Sequence, residues 1–158
     1  MTKSAVPLDP VDKALLRALQ RDGRATNAEL SEAAHMSDSA CLRRVKLLEQ
    51  SGVIERYTAV VDPAAVGLPL TVFVTISLTN QSQEALAAFE TAVAAVPEIL
   101  ECYLMTGTSD YILRLAAADT EDLERLHSTR LTRLPGVARV TSSLALRSVV
   151  RRTGLPIL

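Results

Sequence analysis

Residues 35–52, HMSDSACLRRVKLLEQSG, decide the fold, because they read as one helix with a start signal and an end signal. Ser37 is a typical N-cap, since its hydroxyl can accept a hydrogen bond from a free backbone N–H of the first turn, and the final Ser-Gly is a typical end. Three cations lie close together in the stretch: Arg43, Arg44 and Lys46. The stretch therefore predicts either a nucleic-acid-binding helix or a core helix with a solvated basic face.

Two further helices are predicted before this one. Asp9 suits an N-cap and Pro10 suits the first helical position. Thr26 and Glu29 have the spacing of a capping box, in which each side chain accepts from the other residue's backbone N–H. The turn between the second and third helices is very short, so these two helices must cross at a large angle, as in a helix-turn-helix. Spacing alone leaves an ordinary three-helix scaffold equally open.

Composition limits the class of protein. Of 158 residues, 48% are hydrophobic and 22% are charged, which is typical of a globular chain of one or two small domains. No apolar run reaches the length of a membrane span, and the start, MTKSAVPLDP, lacks the apolar core of a signal peptide. Two cysteines, Cys41 and Cys102, make neither a disulfide framework nor a zinc set, so we expect a cytoplasmic chain without cofactor or metal.

Net charge does not itself indicate nucleic acid. The formal net charge is -1, and residues 1–62 carry nine Lys or Arg and nine Asp or Glu. Phosphate neutralisation still requires cations. A nucleic-acid-binding surface must therefore concentrate its cations locally, and the helix that carries Arg43, Arg44 and Lys46 is one such place.

A domain boundary is predicted between Asp62 and Leu70. The stretch VIERYTAVVDPAAVG, which follows Gly52, predicts short extended pieces, either a wing or a connecting strand, interrupted by Asp-Pro and Gly-Leu-Pro. We accordingly expect one domain over 1–62 and a second over 63–158.

The second half predicts the order βαββαβ. Strand patterns such as LTVFVTISL and YILRLAA alternate with helical patterns such as SQEALAAFETAVAAVP. This order is typical of a four-stranded antiparallel sheet with two helices on one face, an α+β fold. We expect the open face to be rich in Val, Leu and Ile and to be covered by a second copy of the chain.

Several short motifs, taken together, resemble the Lrp/AsnC ("feast/famine") transcriptional regulators over nearly the whole chain. They are the opening Leu8-Asp9-x-x-Asp12, Gly23-Arg24, Arg44-Val45 with Leu48-Glu49, Gly52-Val53-Ile54, and Gly107…Asp110-Tyr111. The resemblance implies an N-terminal winged helix-turn-helix that binds double-stranded DNA and a hinge strand. It also implies a C-terminal ferredoxin-like domain that senses a small molecule, usually an amino acid. A homodimer is implied, often assembled further into tetramers or octamers.

One face of the third helix is predicted to be buried and another to meet DNA. Cys41, Val45 and Leu48 share a face and should pack in the core, where Cys41 is a small buried apolar residue more readily than a redox sensor. The predicted DNA-binding residues are Ser37, Asp38, Ser39, Leu42, Arg43, Arg44 and Lys46.

Within that set the predicted roles differ. Ser39 and Arg43 lie near the helix N-terminus and are expected to contact bases, since Arg can pair with guanine through two hydrogen bonds. Lys46 and Arg44 are expected at phosphates, although Arg44 could instead form a bridge within the domain. Leu42 could contact a thymine methyl or pack beside the second helix, and packing is slightly preferred.

The turn TGTSDY is the predicted effector site. Gly107 permits an unusual backbone angle, and Asp110 could accept from the ammonium of an amino acid. Composition alone favours an ordinary hairpin turn, whereas the resemblance favours effector binding here, between neighbouring dimers. The predicted effector-binding residues are Tyr103, Met105, Thr106, Gly107, Thr108, Ser109, Asp110 and Ser142.

Two other classes of function compete with a DNA-binding regulator. An enzyme is disfavoured because no placed carboxylate pair, Ser/His/Asp set, Cys/His pair or phosphate loop is recognisable. A ligand-sensing module that binds protein rather than DNA remains the alternative. His35 stands where the family commonly has Gly and is predicted to be a turn residue with positive φ, and His127 to be a surface or interface residue.

Overall fold

The structure is a computed structural model that describes residues 6–158. The prediction that no signal peptide is present concerns residues 1–10, and the first five of these lie outside the described residues. The chain forms two compact units. Unit 1 comprises the described part of Met1–Val60 together with Val149–Leu158, and unit 2 comprises Val61–Ser148. The division after Val60 lies close to the boundary expected after residue 62, and the return of the last ten residues to unit 1 was not expected from the sequence.

Unit 1 contains three helices, α1 (Pro10–Arg21), α2 (Asn27–Ala33) and α3 (Asp38–Gln50). Their start signals are confirmed. The side chain of Asp9 accepts from the backbone N–H of Asp12, and Thr26 forms the expected reciprocal capping box with Glu29. The start of each of these two helices is therefore specified by a local signal.

The core of unit 1 is made where the three helices meet. Leu15 of α1, Leu30 of α2, and Cys41 and Leu48 of α3 are all buried. Val45 packs against this cluster from the same face of α3. The predicted buried face of the third helix is thus confirmed.

The segment after α3 forms no helix or strand over the described residues 55–62. Within unit 1, the Tyr57 hydroxyl donates a hydrogen bond to Glu49 Oε1, at 2.9 Å. Burial, aided by this bond, raises the pKa of Tyr57 to about 12. The extended pieces expected here are therefore not paired as strands within the chain.

Unit 2 has the predicted order βαββαβ. Its elements are β1 (Leu70–Leu78), α4 (Gln83–Ala94), β2 (Ile99–Leu104), β3 (Tyr111–Ala117), α5 (Thr120–Thr129) and β4 (Val137–Leu144). The strands lie in the order β2-β3-β1-β4, and each neighbouring pair is antiparallel. The expected ferredoxin-like sheet is confirmed.

The two faces of the sheet differ sharply. In β1, Val72, Val74 and Ile76 point into the core, where Phe89 of α4 and Leu126 of α5 also lie. Burial alternates along β1 because successive side chains point to opposite faces.

The expected apolar composition of the open face is wrong. Opposite the core, β1 carries Thr71, Phe73, Thr75 and Ser77, and strand register places Ile112, Arg114, Thr141 and Ser143 on the same side. The Val, Leu and Ile side chains of the strands mostly face the helices, since that face must exclude water. The open face is consequently a mixed polar surface with a few large apolar residues.

Candidate DNA-binding helix and candidate effector turn

The start of α3 is fixed by three side chains. The Ser37 hydroxyl accepts from the N–H of Ala40 at 3.4 Å, as an N-cap should. Asn27 Nδ2 donates to the Asp38 carbonyl oxygen at 2.9 Å, and the Ser31 hydroxyl donates to Asp38 Oδ1 at 2.5 Å. Asp38 therefore joins α3 to α2 through both its main chain and its side chain, a role the sequence did not reveal.

The turn that leads into α3 has the backbone predicted for it. His35 has φ of 52°, in the region where non-glycine residues are uncommon and His is among the less disfavoured. Its N–H donates to the Glu32 carbonyl at 3.1 Å. The prediction of His35 as a structural turn residue is confirmed.

Four predicted DNA-binding side chains lie on the solvent-facing side of α3. They are Ser39, Leu42, Arg43 and Lys46, all exposed. Within the described chain, no recorded ion pair occupies either Arg43 or Lys46. Both cations are thus available to an external anion.

Leu42 is not part of the core of unit 1. Its side chain is 49% exposed, and it is absent from the apolar cluster of unit 1. Leu42 follows Cys41 about 100° around α3, so it lies at the edge of the buried face and not within it. This exposure leaves Leu42 accessible for the predicted thymine-methyl contact.

Arg44 has partners inside unit 1. Its NH2 lies 2.5 Å from Asp9 Oδ2, and its Nε lies 3.4 Å from Asp12 Oδ1. Asp12 is only 6% exposed, and its Oδ1 has no hydrogen-bond partner, so the charge of Arg44 is its compensation. The N–H of Asp12, with the Arg44 guanidinium, lowers the pKa of Asp9. The geometry matches the internal bridge that was the rival to a phosphate contact.

Neither cysteine has the environment of a reactive thiol. Burial raises the pKa of Cys41, and the nearby Asp38 carboxylate adds to the effect. Burial likewise raises the pKa of Cys102, and Glu90 adds to it. A raised pKa lowers the thiolate fraction, so both cysteines act as packing residues.

In unit 2, Asp110 holds the candidate effector turn to the end of β1. Its carboxylate accepts from the N–H of Leu78 at 2.7 Å and from Gln81 Nε2 at 2.6 Å. Its own N–H donates to the Ile76 carbonyl at 2.9 Å, and its carbonyl accepts from Met105 N–H at 2.8 Å. Both carboxylate oxygens are in use, yet each retains capacity for a further donor.

The rest of the turn is open to solvent. Gly107 has φ of 124°, and no atom lies within 4 Å of the place where its Cβ would be. Met105, Thr106 and Thr108 are exposed, and Ser109 is half-buried. The turn therefore has room for a ligand directly at its backbone.

The structure does not bring Ser142 to this turn within one chain. Ser142 pairs with Val74, which pairs with Leu113, which pairs with Cys102, so this row crosses the sheet from β4 to β2. Three strand spacings separate its ends by about 14 Å. Tyr103, one residue from Cys102, points to the opposite face. Ser142 and Tyr103 could line one site only if another copy contributed one of them.

A cavity of about 310 Å³ beside β2 was not foreseen from the sequence. It is lined by Glu90 and Tyr111 among others, and the Tyr111 hydroxyl donates to Glu90 Oε1 at 2.8 Å. Burial, with this bond, raises the pKa of Tyr111. The ring of Tyr111 also packs on Phe89, with centroids 4.5 Å apart. Tyr111 and Glu90 are 21 residues apart in the chain, so no local sequence pattern indicates that they pair.

No helix within residues 6–158 is long and apolar enough to cross a membrane. Over the same residues, no group of three or more His, Cys, Asp or Glu is placed to hold a metal ion.

Comparison with known proteins relates both units to transcriptional regulators. Residues 8–55 match a winged helix-turn-helix DNA-binding family, and residues 71–155 match the Lrp/AsnC ligand binding domain. An HTH-type transcriptional regulator of Sinorhizobium fredii is 50% identical over 115 residues, covering 73% of this chain and 91% of the relative. The leucine-responsive regulatory protein of Escherichia coli K12 is 37% identical over 150 residues, covering 95% and 92%.

Solved structures agree with this. A transcriptional regulator of Neisseria meningitidis in complex with L-Met has a TM-score of 0.90 and 36% identity, with 95% of this chain and 97% of that chain covered. An AsnC family regulator of Agrobacterium tumefaciens has the same TM-score at 33% identity, covering 94% and 97%.

Proposed function

Because this chain belongs to the Lrp/AsnC family of DNA-binding transcriptional regulators with a ligand-binding domain, we propose that an amino acid modulates its binding to specific DNA in the cytoplasm. The observation that most supports an amino-acid effector is the structure of the turn of residues 105–110. Asp110 presents a fixed carboxylate there, beside open space at Gly107. These two features suit the ammonium group and the close main-chain approach of an amino acid.

On the DNA side, we propose that α3 enters the major groove. Ser39 and Arg43 would contact bases, Leu42 would contact a thymine methyl, and Lys46 would contact phosphate. Support comes from the exposure of all four side chains on one side of a helix whose other side is buried. Ser37 and Asp38 would lie at the groove but act mainly through the helix start, and Arg44 through its bridge to α1.

We propose that the functional particle is a homodimer or a larger homo-oligomer. An effector site that includes both Tyr103 and Ser142 needs two copies, because the two residues lie on opposite edges and opposite faces of the sheet. Exposed apolar side chains on β2 and beyond it, Leu100, Leu104 and Met105, add surface that a second copy would bury.

The test is a thermal-shift screen of the full chain against the twenty amino acids. A ligand that binds only the folded protein stabilises it by mass action and so raises Tm. At a ligand concentration of one hundred times Kd, the free energy of unfolding increases by about 2.7 kcal/mol. Each amino acid that raises Tm is then added to a gel-retardation assay with the chain's own upstream DNA. The expected result is that at least one amino acid changes both readouts.

The outcomes separate the parts of the proposal. Specific, salt-sensitive retardation without any amino-acid effect would leave a DNA-binding regulator and remove the amino-acid effector. Amino-acid stabilisation without retardation of any DNA would instead favour a ligand-sensing module that binds protein.

A further inference from the structure

Unit 1 carries an open groove of about 720 Å³ between α1 and the terminal segment, residues 151–155. Two arginines from each side line it: Arg17 and Arg21 from α1, and Arg151 and Arg152 from the terminal segment. All four are exposed. Among the ten described residues that line the groove, none is acidic.

The terminal segment is held in place by a two-sided clasp. Gln20 Nε2 donates to the Leu155 carbonyl at 3.1 Å, and the N–H of Leu155 donates to Gln20 Oε1 at 2.5 Å. Ile157, further along, packs on the apolar cluster of unit 1, and its carbonyl accepts from Arg17 NH1 at 3.4 Å. The segment is therefore docked on α1 by main-chain bonds and apolar contact, which fixes where its arginines lie.

Gly154 permits this close approach. A Cβ at that position would lie 3.1 to 3.3 Å from three atoms of the Gln20 side chain, tighter than ordinary contact. Because Gln20 is itself held by two hydrogen bonds, it has little freedom to move aside. The groove is consequently a built feature of unit 1 and depends on residues from both ends of the chain.

Its chemistry is that of an anion site. Four guanidinium groups repel one another, and no ion pair with a described acidic residue is recorded for any of them. Guanidinium groups are weakly hydrated and bind phosphate oxygens through two parallel N–H donors. The Thr153 hydroxyl, also in the lining, adds a neutral donor.

We propose that this groove binds phosphates of the DNA backbone and forms a second DNA-contacting surface, separate from α3. It is open and its arginines are exposed, which suits a long polyanion better than a small ligand that must be enclosed. The inference rests on DNA binding by this regulator. The net charge of the chain is only -1, so DNA binding requires local clusters of cations, and the four arginines of the groove form one such cluster outside α3.

The test is the double variant Arg151→Gln/Arg152→Gln in the full chain, titrated with upstream DNA at several salt concentrations. The expected result is a roughly tenfold loss of affinity at about 0.1 M salt, equal for operator and unrelated DNA. The salt slope, which is the slope of the logarithm of the binding constant against the logarithm of the salt concentration, should become smaller in magnitude by about 2. The matched control is Arg130→Gln/Arg133→Gln, which removes the same charge from exposed arginines of unit 2. The control should keep the wild-type slope.

A second variant tests the clasp. Gln20→Ala leaves all four arginines present but removes both bonds to Leu155, so it should lower affinity and slope in the same direction by a smaller amount. Circular dichroism of each variant checks that unit 1 remains folded.

Several outcomes would overturn the proposal. Wild-type affinity and slope in the groove variant would do so, as would an equal loss in the control variant. Stabilisation of wild type, but not of the groove variant, by inorganic tripolyphosphate, with unchanged DNA titrations, would assign the groove to a free anion. Failure of wild type to bind any DNA would instead contradict the function on which the inference rests.

Discussion

The helix α3 and the turn of residues 105–110 are both candidate binding surfaces, but they are completed in different ways. In α3, one helix supplies every proposed base-contacting side chain, and its neighbours only orient it. The turn is held by bonds to the end of β1, and of the two other predicted lining residues Tyr103 lies on β2 and Ser142 on the far edge of the sheet.

This difference means that the proposed DNA surface is complete in a single chain, whereas the proposed effector site needs a second copy to bring Ser142 to the turn. A helix brings residues three and four apart together without any other element. A sheet places neighbours by strand order, so residues on β2 and β4 cannot meet inside one copy of unit 2. The following predictions test whether the two surfaces are as separate as this comparison implies.

The largest effect is expected at Asp110. Asp110→Ala leaves the N–H of Leu78 and the Gln81 amide without their acceptor, so unit 2 should lose about 2–3 kcal/mol of unfolding free energy. Asp110→Asn keeps an acceptor for the Leu78 N–H and should lose less. Both variants should lose the response to whichever amino acid stabilises wild type, because the negative charge is gone.

Chemical denaturation and thermal shift with that amino acid measure the two effects. Thr108→Ala, an exposed change in the same turn, serves as the control for stability alone, because Thr108 is itself a predicted effector-binding residue, and it should change stability by less than about 0.5 kcal/mol. An Asp110→Asn protein that still responds as wild type would remove the carboxylate from the effector site.

The second effect is expected at Arg43. Arg43→Ala should weaken operator binding by about 1–3 kcal/mol and relax the preference at one base position, because a two-pronged base contact is lost. Lys46→Ala is the comparison, and it should weaken binding to all DNA sequences alike. Footprinting and competition with single-base operator variants separate the two, and an unchanged footprint for Arg43→Ala would exclude it from the site.

The smallest effect is expected at Arg44. Arg44→Met keeps the apolar stem but removes the charge that compensates Asp12, so unit 1 should lose about 1 kcal/mol of unfolding free energy. If Arg44 acts only as a bridge, the salt slope of DNA binding should stay unchanged, whereas a lost phosphate contact would reduce it by about 1. A reduced salt slope at unchanged stability would show that Arg44 contacts a DNA phosphate, and it would contradict the assignment of Arg44 to the internal bridge alone.

Much of the fold could be predicted from local sequence. The caps at Asp9, Thr26 and Ser37 involve partners within three residues, so their chemistry is visible in a short window. The buried face of α3 follows from helical period, and the order βαββαβ follows from alternating patterns. Family motifs extended these local readings to both domains.

The rest depended on distant contacts. Arg44 and Asp9 are separated by 35 positions and Gln20 and Leu155 by 135, and no spacing rule joins them. The composition of the open sheet face is a different kind of error. The sequence of β1 already shows Val72 and Val74 alternating with Thr71, Phe73 and Thr75. The expectation counted the apolar residues of the strands together and did not assign them to one face of the sheet.

The bridge from Arg44 to Asp9 and Asp12 has a consequence for redesign. The bridge is one of the contacts that hold α3 in place, beside the apolar core and the bonds of Asp38 to α2. Grafting a foreign recognition helix into this scaffold without an arginine at position 44 would leave the Asp12 carboxylate buried and uncompensated. Exchange of DNA specificity between such regulators should therefore treat positions 9, 12 and 44 as one transferable module.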